Sequence, residues 1–157
     1  MVEVRPQADP SLQQRTELRI QLYRQLSSTL PARDTPRGLV VTVADSDFHE
    51  GTANPAVSEK LAGVAAIISS HPGLMVNVEG NGPFSSERAY AVRDVLIRRG
   101  VPGNAISASG LGDTHPLASP STAAGREQNH RVEIVIAGDP IGQMPYWAKA
   151  YNLMPSR

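Results

Sequence analysis

The stretch 125-GREQNHRVEIVI-136 carries more structural information than any other in this chain. Its second half is an apolar, β-branched run of strand type, so a final strand is predicted over residues 131–137. Its first half places Arg126, Asn129 and Arg131 just ahead of that strand. Side chains of this kind bond loop carbonyls and fix the direction in which a chain runs into a sheet. The same three residues would also suit the rim of a binding site, and both readings stand at this point.

Working outward, residues 110–128 are rich in Gly, Ser and Pro and read as a long loop. Ala105–Ser109 reads as a short strand. Before it, Ala89, Val92 and Leu96 give one face of a helix that begins near Pro83 and is stopped by Gly100 and Pro102. Residues 74–80, LMVNVEG, alternate apolar and polar as a half-buried strand does. Asn54-Pro55 opens a helix with Val57, Leu61, Val64 and Ile68 on one face, ended by His71-Pro72-Gly73. Residues 38–44, GLVVTVA, form the first predicted strand. The order from 38 to 138 is thus β-α-β-α-β-β, a two-layer α/β (α+β) sandwich with helices on one side of a small sheet. PARDTPRG, residues 31–38, reads as a linker by its prolines and charges. Ahead of it, Asp9-Pro10 starts an extra amphipathic helix carrying Leu18, Leu22 and Leu26, with Leu30 one turn on. Three units are therefore expected: residues 1–37 as helix and linker, 38–138 as the domain, and 139–157 as a tail holding Tyr146, Trp147 and Tyr151. That tail either covers the domain or serves contact with another molecule.

Composition narrows the function. Fifteen basic residues balance fifteen acidic ones and only 4% of the residues are aromatic, which speaks against a nucleic-acid partner. Cysteine is absent, so disulfides, thiolate metal sites and thiol catalysis are excluded. No Walker lysine, Gly-x-Ser-x-Gly elbow or other nucleophile-base pair is recognisable, so the chain is read as a non-enzyme without a cofactor.

Five phrases, in order, resemble the OmpA-like family, the C-terminal domains of OmpA, Pal and MotB. Gly125, Arg126, Asn129, Arg131, Val132 and Glu133 match its signature before the last strand, with His130 where arginine is usual. In SSERAYAVRDVLIRRGVP, residues 85–102, Arg88 and Ala89 match its Arg-Ala helix. ISASGLGDTHP (106–116), VEGN (78–81) and the Phe48-containing ADSDFHEG (44–51) are similar to three further family segments. The resemblance covers about residues 38–137.

It implies a bacterial envelope protein, periplasmic or outer-membrane associated, whose signal or anchor lies outside this sequence. It also implies a ligand, the zwitterionic end of meso-diaminopimelate in the peptidoglycan stem peptide. The family grips the carboxylate with the helix arginine, here Arg88, and the ammonium with an aspartate from a Thr-Asp pair after the second strand. This chain departs from that pattern twice. After Asn81 it runs through Gly82 and Pro83 to Phe84, without the Thr-Asp pair and its loop, and His49 stands where an aspartate commonly follows the phenylalanine. The resemblance thus marks Arg88, Asn81, Phe48, His49, Arg126, Asn129 and Arg131 as ligand-binding candidates for a weakened site, with Asp45, Asp47, Glu79 or Glu87 as possible substitutes for the lost acid. The alternatives are plainer: Arg88 as an exposed helix arginine, and a scaffold that has lost its ligand and serves self-association through the N-terminal helix or the tail. Asp45, Asp47 and His49 alternate along a strand end and would suit a metal only with a further ligand; no metal is expected.

Overall fold

A computed structural model describes residues 10–142, with side chains from Leu12 onward. The expected Asp9 cap and the tail beyond Gly142, with its aromatic residues, lie outside the described residues. In chain order the elements are α1 (Pro10–Ser27), β1 (Ala32–Thr35), β2 (Gly38–Val43), β3 (Phe48–His49), β4 (Thr52–Ala53), α2 (Pro55–Ser69), β5 (Met75–Gly80), α3 (Ser85–Arg98), β6 (Ile106–Gly110), α4 (Ala123–Asn129) and β7 (Val132–Ala137). Among the described residues no helix is long and apolar enough to cross a membrane.

The main sheet runs β1-β2-β7-β5-β6, and β3 and β4 form a separate small hairpin. The decisive stretch of sequence becomes the central strand: β7 pairs antiparallel with β2 on one side and with β5 on the other. β5 and β6 are parallel, joined by the α3 crossover. Alternation along the strands sorts the residues. Leu39, Val41, Val43, Val76, Val78, Val132, Ile134 and Ile136 face the helices and are buried with Val57, Leu61, Val64, Ala89, Val92 and Leu96. Glu79 and Glu133, one position out of phase, project from the opposite face and sit directly across from each other in the register.

Two stretches read as irregular are ordered. PARDTPRG holds β1, which pairs Ala32 with Val41 and Thr35 with Gly38. An edge strand needs only backbone partners, so its polar side chains gave no alternation to read. Its charges are paired instead: Arg19 of α1, almost wholly buried, donates from Nε to Asp34 at 2.9 Å and from Nη2 to the Thr35 carbonyl at 2.9 Å, and Arg33 reaches Glu133. The predicted loop of 110–128 likewise gives way to α4, capped by the Thr122 hydroxyl, which accepts from the Gly125 N–H at 2.9 Å. Seven residues with two alanines as their only apolar members leave no 3.6-residue pattern to detect. α3 begins at Ser85, after Phe84 in the left-handed region at φ 58°, rather than at Pro83. The β3–β4 hairpin was not anticipated either, because two-residue strands carry no periodicity.

α1 belongs to the same core. Leu22 and Leu26 are completely buried and Leu30 nearly so. Removing a buried leucine side chain costs about 2–5 kcal/mol, through lost transfer energy and the cavity left behind. Leu26→Ala is therefore expected to lower the unfolding free energy by about 3 kcal/mol in urea titration, with a single transition. An unchanged midpoint would mean that α1 is an appendage.

Candidate functional site

Arg88 sits in the first turn of α3, where the helix faces the β3–β4 hairpin. The close approach is permitted by Gly51, where a Cβ would lie 2.7 Å from that of Glu87. Across this gap Arg88 donates from Nε to the Glu50 carbonyl at 2.6 Å and from Nη1 to Asp45 Oδ1 at 2.7 Å. The guanidinium carbon lies 4.8 Å from the Phe48 ring centroid and 6.0 Å from that of Phe84. Arg88 is only 6% exposed. The expectation of an exposed helix arginine is therefore not met. Among the described residues both non-glycine residues with positive φ, Glu50 and Phe84, flank this arginine. Such backbone costs about 1–3 kcal/mol at each position and persists only where surrounding contacts impose it.

The turn before β3 explains how Asp45 arrives there. Asp47 Oδ2 accepts the Ala44 N–H at 3.1 Å, and the Asn54 side chain donates to the Ser46 carbonyl at 3.1 Å. With the turn held at both ends, Asp45 projects toward α3. Phe48 is buried beside Arg88, whereas His49 is exposed on β3 opposite Thr52. Among the described residues no three His, Asp or Glu side chains converge as metal ligands, and Asp45 and Asp47 have the partners just given.

The other four candidates gather elsewhere, around the start of β7. The Asn81 N–H donates to the Arg131 carbonyl at 2.8 Å, and its Nδ2 sits 3.4 Å from the Glu79 and Arg131 carbonyls. Its Oδ1 is buried without a partner. Asn129 accepts the N–H groups of Leu117 and Ala118 at 2.6 and 2.9 Å and donates to the Ala118 carbonyl at 2.9 Å. Arg126 donates to the Pro120 carbonyl at 3.1 Å. Arg131 donates from Nε to Glu133 at 2.8 Å, with weaker contacts to the Asn129 and His115 carbonyls. These are the loop-fixing bonds that the residue types suggested.

On the open face of the sheet this cluster continues into charges that sequence reasoning did not assemble. Arg33 bonds Glu133 at 3.0 Å, and Arg37 grips both oxygens of Glu79, one of them at 2.9 Å. Like charges facing each other across strands repel. Glu79 is offset here by Arg37, and Glu133 by Arg33 and Arg131. A cavity of about 300 Å³ lies over them, lined by Arg33, Arg37, Glu79, Asn81 and Arg131 among others. A second of about 260 Å³ lies beside it, lined in part by Asp113, His115, Arg126 and His130. Arg88 lines neither.

The comparisons with known proteins bear on this arrangement. The OmpA family model matches residues 52–130. The chain belongs to the OmpA family. Among curated relatives it is 36% identical over 129 residues to the probable lipoprotein YiaD of Escherichia coli K12, covering 67% of this chain and 59% of that one. It is 40% identical over 92 residues to the peptidoglycan-binding protein ArfA of Mycobacterium bovis, covering 52% of this chain and 28% of that protein. The chain thus spans less than two thirds of either relative's length. Among solved structures, a MotB-like protein from Desulfovibrio vulgaris superposes with a TM-score of 0.71 at 18% identity, over 81% of this chain and 98% of that one. That likeness supports the two-layer fold.

Burial alone pushes the Glu133 carboxyl up, but hydrogen bonds from Arg131 and Arg33, together with their charges, outweigh it and hold the pKa below its ordinary value. A folded-state pKa below the unfolded one stabilises at pH above the unfolded value and is lost as pH falls through the folded value. Glu133→Gln leaves the buried Arg131 without its charge partner, for which about 3 kcal/mol of destabilisation is expected at pH 7. Thermal melts of both proteins should converge as pH drops below about 4. A gap that stays constant with pH would show that the carboxylate charge is not what stabilises this corner.

Proposed function

We propose that this domain is a non-catalytic module of the bacterial cell envelope, periplasmic or outer-membrane associated, that associates with peptidoglycan through the diaminopimelate of the stem peptide. Membership of the OmpA family supports this, as does the naming of one relative as peptidoglycan-binding and another as a lipoprotein. The observation that carries the reading is Arg88. It occupies the family's Arg-Ala position, on the first turn of α3, next to the segment that holds Phe48. An arginine fork matches both oxygens of a carboxylate.

The grip we infer is weak. The connection from Gly80 to Ser85 is short and enters α3 through the left-handed Phe84, with none of the residues that would carry a Thr-Asp pair. Loss of one partner of a desolvated charge pair costs about 2–5 kcal/mol, equivalent to roughly thirtyfold to several thousandfold in affinity. A weak single site still retains a protein on a polymer when copies are clustered, because the second contact is effectively intramolecular.

Two observations favour a second reading, a scaffold serving packing or self-association. The Nε and Nη1 donors of Arg88 are already used inside the domain, and α1 leaves Ile20 and Tyr23 partly exposed. Co-sedimentation with insoluble sacculi separates the two. Retention of the wild-type protein should fall about tenfold or more in Arg88→Ala, and also in Arg88→Lys, which keeps the charge and loses the fork. Equal retention of all three folded proteins would leave the scaffold reading in place.

A further inference from the structure

Recognition of a zwitterion needs an anionic pole beside the cationic one. The acids near Arg88 are not equivalent. Glu79 projects from the other face of the sheet and is held by Arg37 and Asn77. Asp47 is spent on the Ala44 N–H. Glu50 offers Arg88 its backbone carbonyl. Glu87 precedes Arg88 on α3 and makes no ion pair among the described residues.

Asp45 differs from all of these. Its Oδ1 accepts from Arg88 Nη1 at 2.7 Å, and its side chain is still 35% exposed while that of Arg88 is 7% exposed. Its Oδ2 makes no hydrogen bond among the described residues, and neither does Arg88 Nη2. Asn81 Oδ1 is the one fully buried side-chain polar atom among the described residues that lacks a partner. The unused Oδ2 and Nη2 therefore meet solvent. Two ion-paired groups thus carry an unfilled acceptor and an unfilled donor. An amino-acid head, with ammonium and carboxylate on one carbon, presents the complementary pair in reverse order. Set antiparallel to the Asp45–Arg88 pair, such a head would meet each pole with its opposite. The phenyl rings of Phe48 and Phe84 beside the guanidinium exclude water from part of this corner and strengthen its electrostatics.

We propose that Asp45 supplies the anionic pole of this site and binds the ammonium of the ligand's zwitterionic head, while Arg88 keeps the carboxylate. The inference rests on the peptidoglycan reading above and adds a specificity-determining residue to it. Because Asp45 is already shared with Arg88, the site is weak, but it prefers a zwitterion to a simple dicarboxylate. The 3₁₀ turn that holds Asp45, before β3, takes over a role that the shortened β5–α3 connection cannot fill.

The test is a calorimetric titration of the full chain at low salt with meso-diaminopimelate and with pimelate, which has the same carbon chain and no ammonium groups. Wild type is expected to prefer diaminopimelate by about tenfold or more. Asp45→Asn, whose amide oxygen still accepts from Nη1, is expected to melt at a lower temperature because buried Arg88 loses its charge partner, but to stay folded at the titration temperature, checked by its melt, and to lose that preference. Asp45→Ser provides a second variant without the carboxylate, and Glu87→Gln should behave as wild type. If Asp45→Asn binds either ligand more tightly, Asp45 is a competitor that occupies Arg88, and the proposal is overturned. An unchanged preference overturns it as well. Sacculus retention that depends on Arg88 but not on Asp45 would remove this inference alone. A wild type that binds neither diaminopimelate nor sacculi would remove it together with the reading beneath it.

Discussion

The buried guanidinium of Arg88 ties the first turn of α3 to the turn after β2 and the β3–β4 hairpin that directly follows it, 43 and 38 positions earlier at Asp45 and Glu50. A charge placed there has to be neutralised and hydrogen-bonded, because an unpaired buried ion costs several kcal/mol. Asp45 supplies the charge and the Glu50 carbonyl a second acceptor. The arrangement constrains everything around it. Gly51 must be small so that the hairpin can approach α3, and Phe84 accepts a left-handed backbone so that α3 starts in register. Gly80 likewise has no room for a side chain, since a Cβ would collide with the Ser85 carbonyl. Replacing such a pair with apolar residues often leaves a fold equally stable. Stability alone therefore does not account for an ion pair at this position.

Polar chemistry in this domain is divided between two places that do not communicate through shared side chains. On the helix side Arg88 and Asp45 leave a donor and an acceptor open. On the open sheet face the arginines at 33, 37 and 131 quench Glu79 and Glu133, two carboxylates that the strand register forces to face each other. The first corner keeps an open donor and an open acceptor, whereas the second is largely closed on itself. Arg131 and Asn129, which the family resemblance brings forward as ligand candidates, spend their donors and acceptors on β7 and on the 115–118 loop. Their effect on the Arg88 corner, if the chain binds as proposed, runs through the position of β7 rather than through contact.

Much of the fold was legible beforehand. Helices α2 and α3 bury the apolar faces that their spacing announced, and β2, β5, β6 and β7 fall on the β-branched or alternating runs. What escaped was short or polar. β1 is an edge strand whose charges are satisfied by residues distant in sequence, α4 has too few apolar positions to show a period, and the β3–β4 hairpin has two residues per strand. The candidate residues were legible as residue types at junctions. Their grouping was not, because a side chain at the end of one element meets partners set by loop geometry, and loop geometry is fixed by the packing of the elements it joins.

By itself the sequence determined the long helices, the longer strands and the absence of thiol chemistry, because periodicity, turn residues and composition are local properties, and its junction phrases carried the resemblance to the family. It also showed that the stretch after Asn81 lacks a Thr-Asp pair. Only the tertiary structure decided that α1 shares the core, that Arg88 is buried rather than exposed, and that Asp45 is the acid which reaches it. Forty-three positions separate those two residues. Their meeting depends on a turn held by Asp47 and Asn54, a hairpin seated on Gly51 and a helix started by Phe84. No local pattern encodes that sum, because each of the three is positioned by packing against the others.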